Sequence, residues 1–166
     1  REFLADFFGA RSPKAAVAQC EVAAGEAGRI DIVVEWTDEG ERHCAVIEHK
    51  LKAGEGEDQT VRYRSIAATL WASRSSASPE ALPRHPHLLF LALFPWETAK
   101  DGEFASRSHR DLIPSLEKAA TEVDPVVSAL AREWADELKQ FYGSMDRLIA
   151  VSWEAALRHE TPGVLR

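Results

Sequence analysis

Gly28-Arg29-Ile30-Asp31-Ile32 and Val46-Ile47-Glu48-His49-Lys50 are two short β-like runs, each with one acid at its centre. Between them lies Thr37-Asp38-Glu39-Gly40-Glu41-Arg42, polar and glycine-bearing, which reads as a hairpin turn. Side chains alternate across a strand, so Glu48 and Lys50 share a face. A turn centred on Glu39-Gly40 sets Ile32 opposite Ile47, Val33 opposite Val46 and Val34 opposite Ala45, apolar partners on both faces. Asp31 then faces Glu48 at a Cβ separation of roughly 4.5–5.5 Å, and Arg29 faces Lys50, a like-charge mismatch. A slip of one residue would carry Glu48 to the face away from Asp31. Two carboxylates that close, with an ammonium beside them, are equipment for holding a divalent cation next to a phosphate.

Working outward, Glu2 to Phe8 carries the stripe Phe3, Leu4, Phe7, Phe8 of a helix that Gly9 closes. Ala16 to Val22 alternates and reads as a first strand. Strands are expected at about 28–36 and 43–50. After Gly54 and Gly56 a helix is expected from Glu57 to Ser73, its face given by Gln59, Tyr63, Ile66 and Leu70. Arg74 to Pro86 is rich in Ser, Ala and Pro, a loop. His87 to Phe94, eight mostly apolar residues between prolines, fits a buried central strand. Beyond Trp96 the pattern is helical. Leu112, Ile113, Leu116 and Ala120 form a short helix. A longer one runs from Pro125 to a stop at Gly143, and a last one carries Met145, Leu148, Ile149 and Trp153. The expected fold is a mixed α/β core in α-β-β-β-α-β order with a helical extension, one domain over 1–166 with its core in about 1–95.

The 166 residues can bury a sizeable core, and no apolar run approaches a membrane span. No signal peptide is read, and a chain that opens on Arg1 reads as a fragment of a longer protein. Cys20 and Cys44 are too few for a disulfide scaffold, and two buried free thiols in a reducing cytosol are expected. A net charge of −7 implies weak unaided binding to nucleic acid. The basic residues near the two acids are Arg29, Lys50, Lys52, Arg62 and Arg64. His85 and His87 lack partners at zinc-site spacing, and His43, His109 and His159 read as isolated surface residues. Trp134 and Trp153 fit helix packing, and no exposed apolar stripe marks an interface. No nucleophile elbow or phosphate-binding glycine loop occurs.

Asp31, then Glu48-His49-Lys50, then Gln59 and Tyr63 on the following helix resemble the PD-(D/E)XK nuclease superfamily. The likeness is to bacterial members with a GRIDI-type strand, an IEHK-type strand, an acidic-glycine loop (here Ala53 to Asp58) and a Q-x-x-x-Y helix. The resemblance implies a restriction-endonuclease-like fold and Mg²⁺- or Mn²⁺-dependent hydrolysis of DNA in a bacterial cytoplasm, in restriction, repair or defence against foreign DNA. Carried over, Asp31 and Glu48 would be carboxylate ligands with the His49 backbone carbonyl as a third. Lys50 would orient or activate the attacking water, and Gln59 would contact the phosphate or the lysine. Glu2 or Glu21 would be an outer acid, and Arg29, Lys52 and Arg62 would meet substrate phosphates. RNA is not separated from DNA by these residues. The family often dimerises, and a further domain of a longer chain is the other expected partner. The alternative reading is an inactive nuclease-fold module that binds nucleic acid or protein.

Overall fold

The computed structural model describes residues 1–51, 55–74, 86–121 and 124–159, without the side chains of 68–74 and 154–159. The loop read at Arg74–Pro86 falls mostly outside them, as do Lys52, Ala53 and Gly54. Helix α1 (Glu2–Phe8) leads to β1 (Lys14–Ala23), β2 (Arg29–Asp38) and β3 (Glu41–Lys50). Helix α2 (Gln59–Arg74) then crosses to β4 (His87–Ala92) and β5 (Ala105–Ser108). Helices α3 (Ile113–Ala119) and α4 (Pro125–His159) follow. The strands form one mixed sheet in the order β1-β2-β3-β4-β5, the first two pairings antiparallel and the last two parallel. The chain divides into two compact units, Arg1–Ser115 and Leu116–Arg166.

The hairpin has the register its apolar residues require. Ile32 pairs with Ile47, Val33 with Val46 and Val34 with Ala45, through to Asp38 with Glu41. Its turn is tight because Glu39 and Gly40 both adopt positive φ, at 51° and 90°, the backbone of a two-residue hairpin loop. The regular ladder ends at Ile32–Ile47, so Arg29 is spared the clash with Lys50. Arg29 pairs instead with Ala23 of β1, while Lys50 lies beside Ala92 of β4.

Each face of the sheet has its own core. Val33, Cys44, Val46 and Phe90 pack with Tyr63 and Ala67 of α2 and with Phe104. On the opposite face Val34, Trp36, Ala45, Ile47, Leu89 and Leu91 pack with Leu4, Phe7 and Phe8 of α1 and with Leu112. Asp38, at the end of β2, accepts the backbone N–H groups of Arg11 (2.9 Å) and Ser12 (2.6 Å), which ties down the link from α1 to β1.

Several expectations need correction. Beyond Trp96 the chain is not wholly helical: Ala105–Ser108 adds β5 beside β4. Cys20 is exposed, because edge strand β1 has a neighbour on one side only and is solvent-exposed along nearly its whole length. His109 is buried and stacks on His49, with ring centroids 4.8 Å apart. Gly143 does not stop a helix; α4 runs through it for 35 residues. A glycine costs a helix interior only about 1 kcal/mol against alanine, and the apolar stripe keeps its phase across it. That stripe (Val127, Leu130, Trp134, Phe141, Leu148) is itself exposed, as is Trp153, contrary to the packing role read for Trp134 and Trp153.

A Cβ at Gly143 would meet nothing within 4 Å. Gly143→Ala is therefore expected to raise stability by about 1 kcal/mol and to increase helicity, readable by circular dichroism and melting. A lower melting temperature would mean that the helix breaks there.

Candidate active site

Asp31, Glu48, Lys50 and Gln59 converge where β2 and β3 splay at the end of their ladder. Asp31 uses Oδ2 to accept the His49 backbone N–H at 2.8 Å. This side-chain bond takes the place of a ladder contact and fixes the carboxylate beside β3. The His49 ring points to the far face, against His109, as strand alternation requires.

Glu48 is fully buried, flanked on its sheet by Phe90 of parallel β4. Lys50 Nζ lies 2.5 Å from Glu48 Oε1. The ammonium also donates to Gln59 Oε1 (2.9 Å), and among the described residues no donor other than Lys50 meets a Glu48 oxygen. Burial pushes the Glu48 carboxyl up to about 7; the neighbouring Lys50 opposes the rise and Asp31 adds to it. A buried acid left in this state is costly unless something else compensates its charge.

Gln59 opens α2 and is held at both ends of its amide. Its Oε1 accepts Lys50 Nζ and the Gly56 N–H (3.3 Å), while Nε2 donates to the Tyr63 hydroxyl at 2.9 Å. A Cβ at Gly56 would meet that Oε1 at 3.3 Å, so glycine lets the loop approach. The Tyr63 hydroxyl donates in turn to the Arg29 carbonyl. Tyr63 is thus both core, by its ring, and the far anchor of the group that orients Lys50. Only the core role was legible in its helical spacing.

A second polar lock had no sequence signal, since it joins residues far apart in the chain. Glu55 Oε1 accepts the Thr60 N–H (2.8 Å) and hydroxyl (2.6 Å), and its Oε2 accepts the Lys100 N–H (2.7 Å). The Asp101 N–H donates to Thr60 Oγ1 (3.1 Å), and Arg64 pairs with Asp101 at 2.9 Å. Burial raises the Glu55 carboxyl, but the Thr60 and Lys100 donors together outweigh it and hold the group below its usual range. The lock fastens the first turn of α2 to the segment between β4 and β5.

The remaining expected site residues are placed elsewhere or otherwise engaged. Glu2 lines a recess of about 260 Å³ with Arg11, Ser12 and Lys14. Glu21 pairs with Arg29 at 3.1 Å, both exposed, a contact of little energetic weight. Arg62 is exposed and donates to the Glu57 carbonyl. Among the described residues no three His, Cys, Asp or Glu side chains gather as a metal-binding group. Two acids are what the site offers, and a hard cation that keeps several waters asks for no more than one or two. No family model matches the chain, and neither does any curated protein or solved structure.

Proposed function

We propose that this chain carries a divalent-metal-dependent phosphodiesterase site. The particular reading is a nuclease of the PD-(D/E)XK type with a restriction-endonuclease-like core, cutting DNA. The single observation behind it is the Glu48 carboxylate, fully buried beside Asp31, with the Lys50 ammonium, shared with Gln59, as its one counter-charge among the described residues. A purely structural acid at that depth is ordinarily met by several well-aligned donors on both oxygens. The donor set suits Mg²⁺ or Mn²⁺: Asp31 and Glu48 would hold the cation, with the His49 carbonyl as a third oxygen.

When bound, the metal would lower the pKa of a water and offset charge on the phosphate. The chain's own residues do the rest. Asp31, fixed through Oδ2 by the His49 N–H, would keep Oδ1 for the cation. Lys50 supplies a compact positive charge beside the attacking water, and Gln59 fixes the ammonium by a second contact besides Glu48. Tyr63 holds the Gln59 amide in the orientation that offers Oε1, not Nε2, to the lysine. Glu48 lies in the low-dielectric interior, where each of these interactions is stronger than in water.

The test is cleavage of supercoiled plasmid and of labelled linear DNA and RNA with Mg²⁺ or Mn²⁺, alongside Lys50→Ala. Cleavage that requires metal and is lost in the variant is the expected result. Cleavage equal in both proteins would sink the assignment. Metal binding without cleavage of any substrate would favour a nuclease-fold binding module instead.

A further inference from the structure

From the segment that joins β4 to β5 we infer that the substrate is engaged through an unpaired nucleobase stacked on Trp96. The inference rests on the nuclease reading for its choice of ligand, and on separate observations for its site.

Trp96 is 61% exposed, and its ring stacks on Phe94 with centroids 4.9 Å apart and planes 13° from parallel. A single exposed apolar side chain is ordinary on a protein surface. This one is held in place. Phe94-Pro95-Trp96-Glu97 forms a turn closed by the Glu97 N–H donating to the Phe94 carbonyl at 3.1 Å, with proline at the position whose φ it presets. The ring therefore loses little freedom when something stacks on its outer face.

The segment is also moored to the site at both ends. The Leu93 N–H donates to the Lys50 carbonyl at 2.9 Å, so only about 10 Å of chain separates Trp96 from the strand that carries Glu48 and Lys50. At the other end the Lys100 N–H bonds Glu55 and the Asp101 N–H bonds Thr60, the residue after Gln59. Trp96 thus stands on a rim tied to both elements that hold the site.

Electrostatics alone would bind nucleic acid poorly here. The net charge is −7, Arg29 is paired with Glu21, and Arg62 is bonded to the Glu57 carbonyl. Stacking on an aromatic ring supplies affinity that depends little on phosphate contacts, and every base has a face to offer. Bases inside a duplex are already stacked, so the platform selects single strands, frayed ends or flaps.

The experiment is fluorescence anisotropy with a labelled short oligothymidylate and with a loop-free, blunt-ended GC-clamped duplex, in Ca²⁺, using wild type, Trp96→Ala and Trp96→Phe. Trp96→Ala is expected to weaken single-strand binding about tenfold, to leave duplex binding unchanged, and to be largely rescued by phenylalanine. Equal losses on both ligands, no loss, or no binding by the wild type would each overturn the platform. Cleavage that needs metal and Lys50 would leave the nuclease reading standing in any of those cases. Trp96-dependent binding selective for single strands, without cleavage, would keep the platform and overturn the nuclease.

Discussion

Glu48→Gln is expected to end cleavage while making the protein harder to unfold at pH 8. The Glu48 carboxyl titrates near 7 in the folded chain against an ordinary 4.5, chiefly because burial penalises the charged form. A folded-state pKa above the unfolded one means that the folded protein binds the proton more tightly. This group's contribution is therefore most favourable below about pH 4.5, declines as pH rises, and levels off above 7. At about 1.4 kcal/mol per unit, the decline amounts to roughly 3 kcal/mol. Glutamine carries no charge to desolvate, so the stability difference between variant and wild type should grow from pH 5 to pH 8. Urea unfolding at the two pH values measures it. Mg²⁺ should stabilise the wild type at pH 8 and leave the variant unmoved, since a ligand of the folded state adds stability through its own binding. A variant less stable than wild type at pH 8, or one that still cuts, would show that the buried charge is not held for a cation.

At Asp31 two substitutions should part company. Asp31→Ala removes the acceptor of the His49 N–H and leaves a partly buried donor unsatisfied, at about 1–3 kcal/mol. Asp31→Asn keeps an oxygen there and should cost much less. Both should lower cleavage by more than about a hundredfold, the scale on which a lost electrostatic contact to the reacting charge acts. Both should also make Glu48 easier to ionise, because Asp31 raises its pKa. Equal melting temperatures for the two variants would mean that the Asp31–His49 bond contributes nothing. Activity retained in Asp31→Asn would remove Asp31 from the chemistry.

The hairpin was readable because apolar partners on both faces admit one register and Glu39-Gly40 suits a tight turn. The end of its ladder was not, since it depends on a side chain competing with the backbone, Asp31 for the His49 N–H. Strand β5 escaped because Ala-Ser-Arg-Ser has no apolar alternation and pairs on one side only. The break expected at Gly143 gave too much weight to a penalty of about 1 kcal/mol in a helix of 35 residues. Within the site, the positions of Asp31, Glu48, Lys50 and Gln59 follow from strand alternation and helix phase. The Glu55–Thr60–Asp101 lock follows from neither, because it is polar and joins segments far apart in sequence.

The side chains from Asp31 to Tyr63 that make up the site, with the Arg29 carbonyl that anchors them, belong to one unbroken stretch of chain, whereas the rim that carries Trp96 comes from beyond β4. The hairpin can close by local contacts on the microsecond scale, and at that stage Glu48 is still hydrated and its charge costs nothing. Only when β4 docks in parallel, after the long crossover through α2, does Glu48 lose its water. The energetic tension at this carboxylate is thus created by the least local strand pairing of the sheet. On the proposed reading, the burial that would let this carboxylate serve a cation and the penalty it imposes on folding have one source, the pairing with β4.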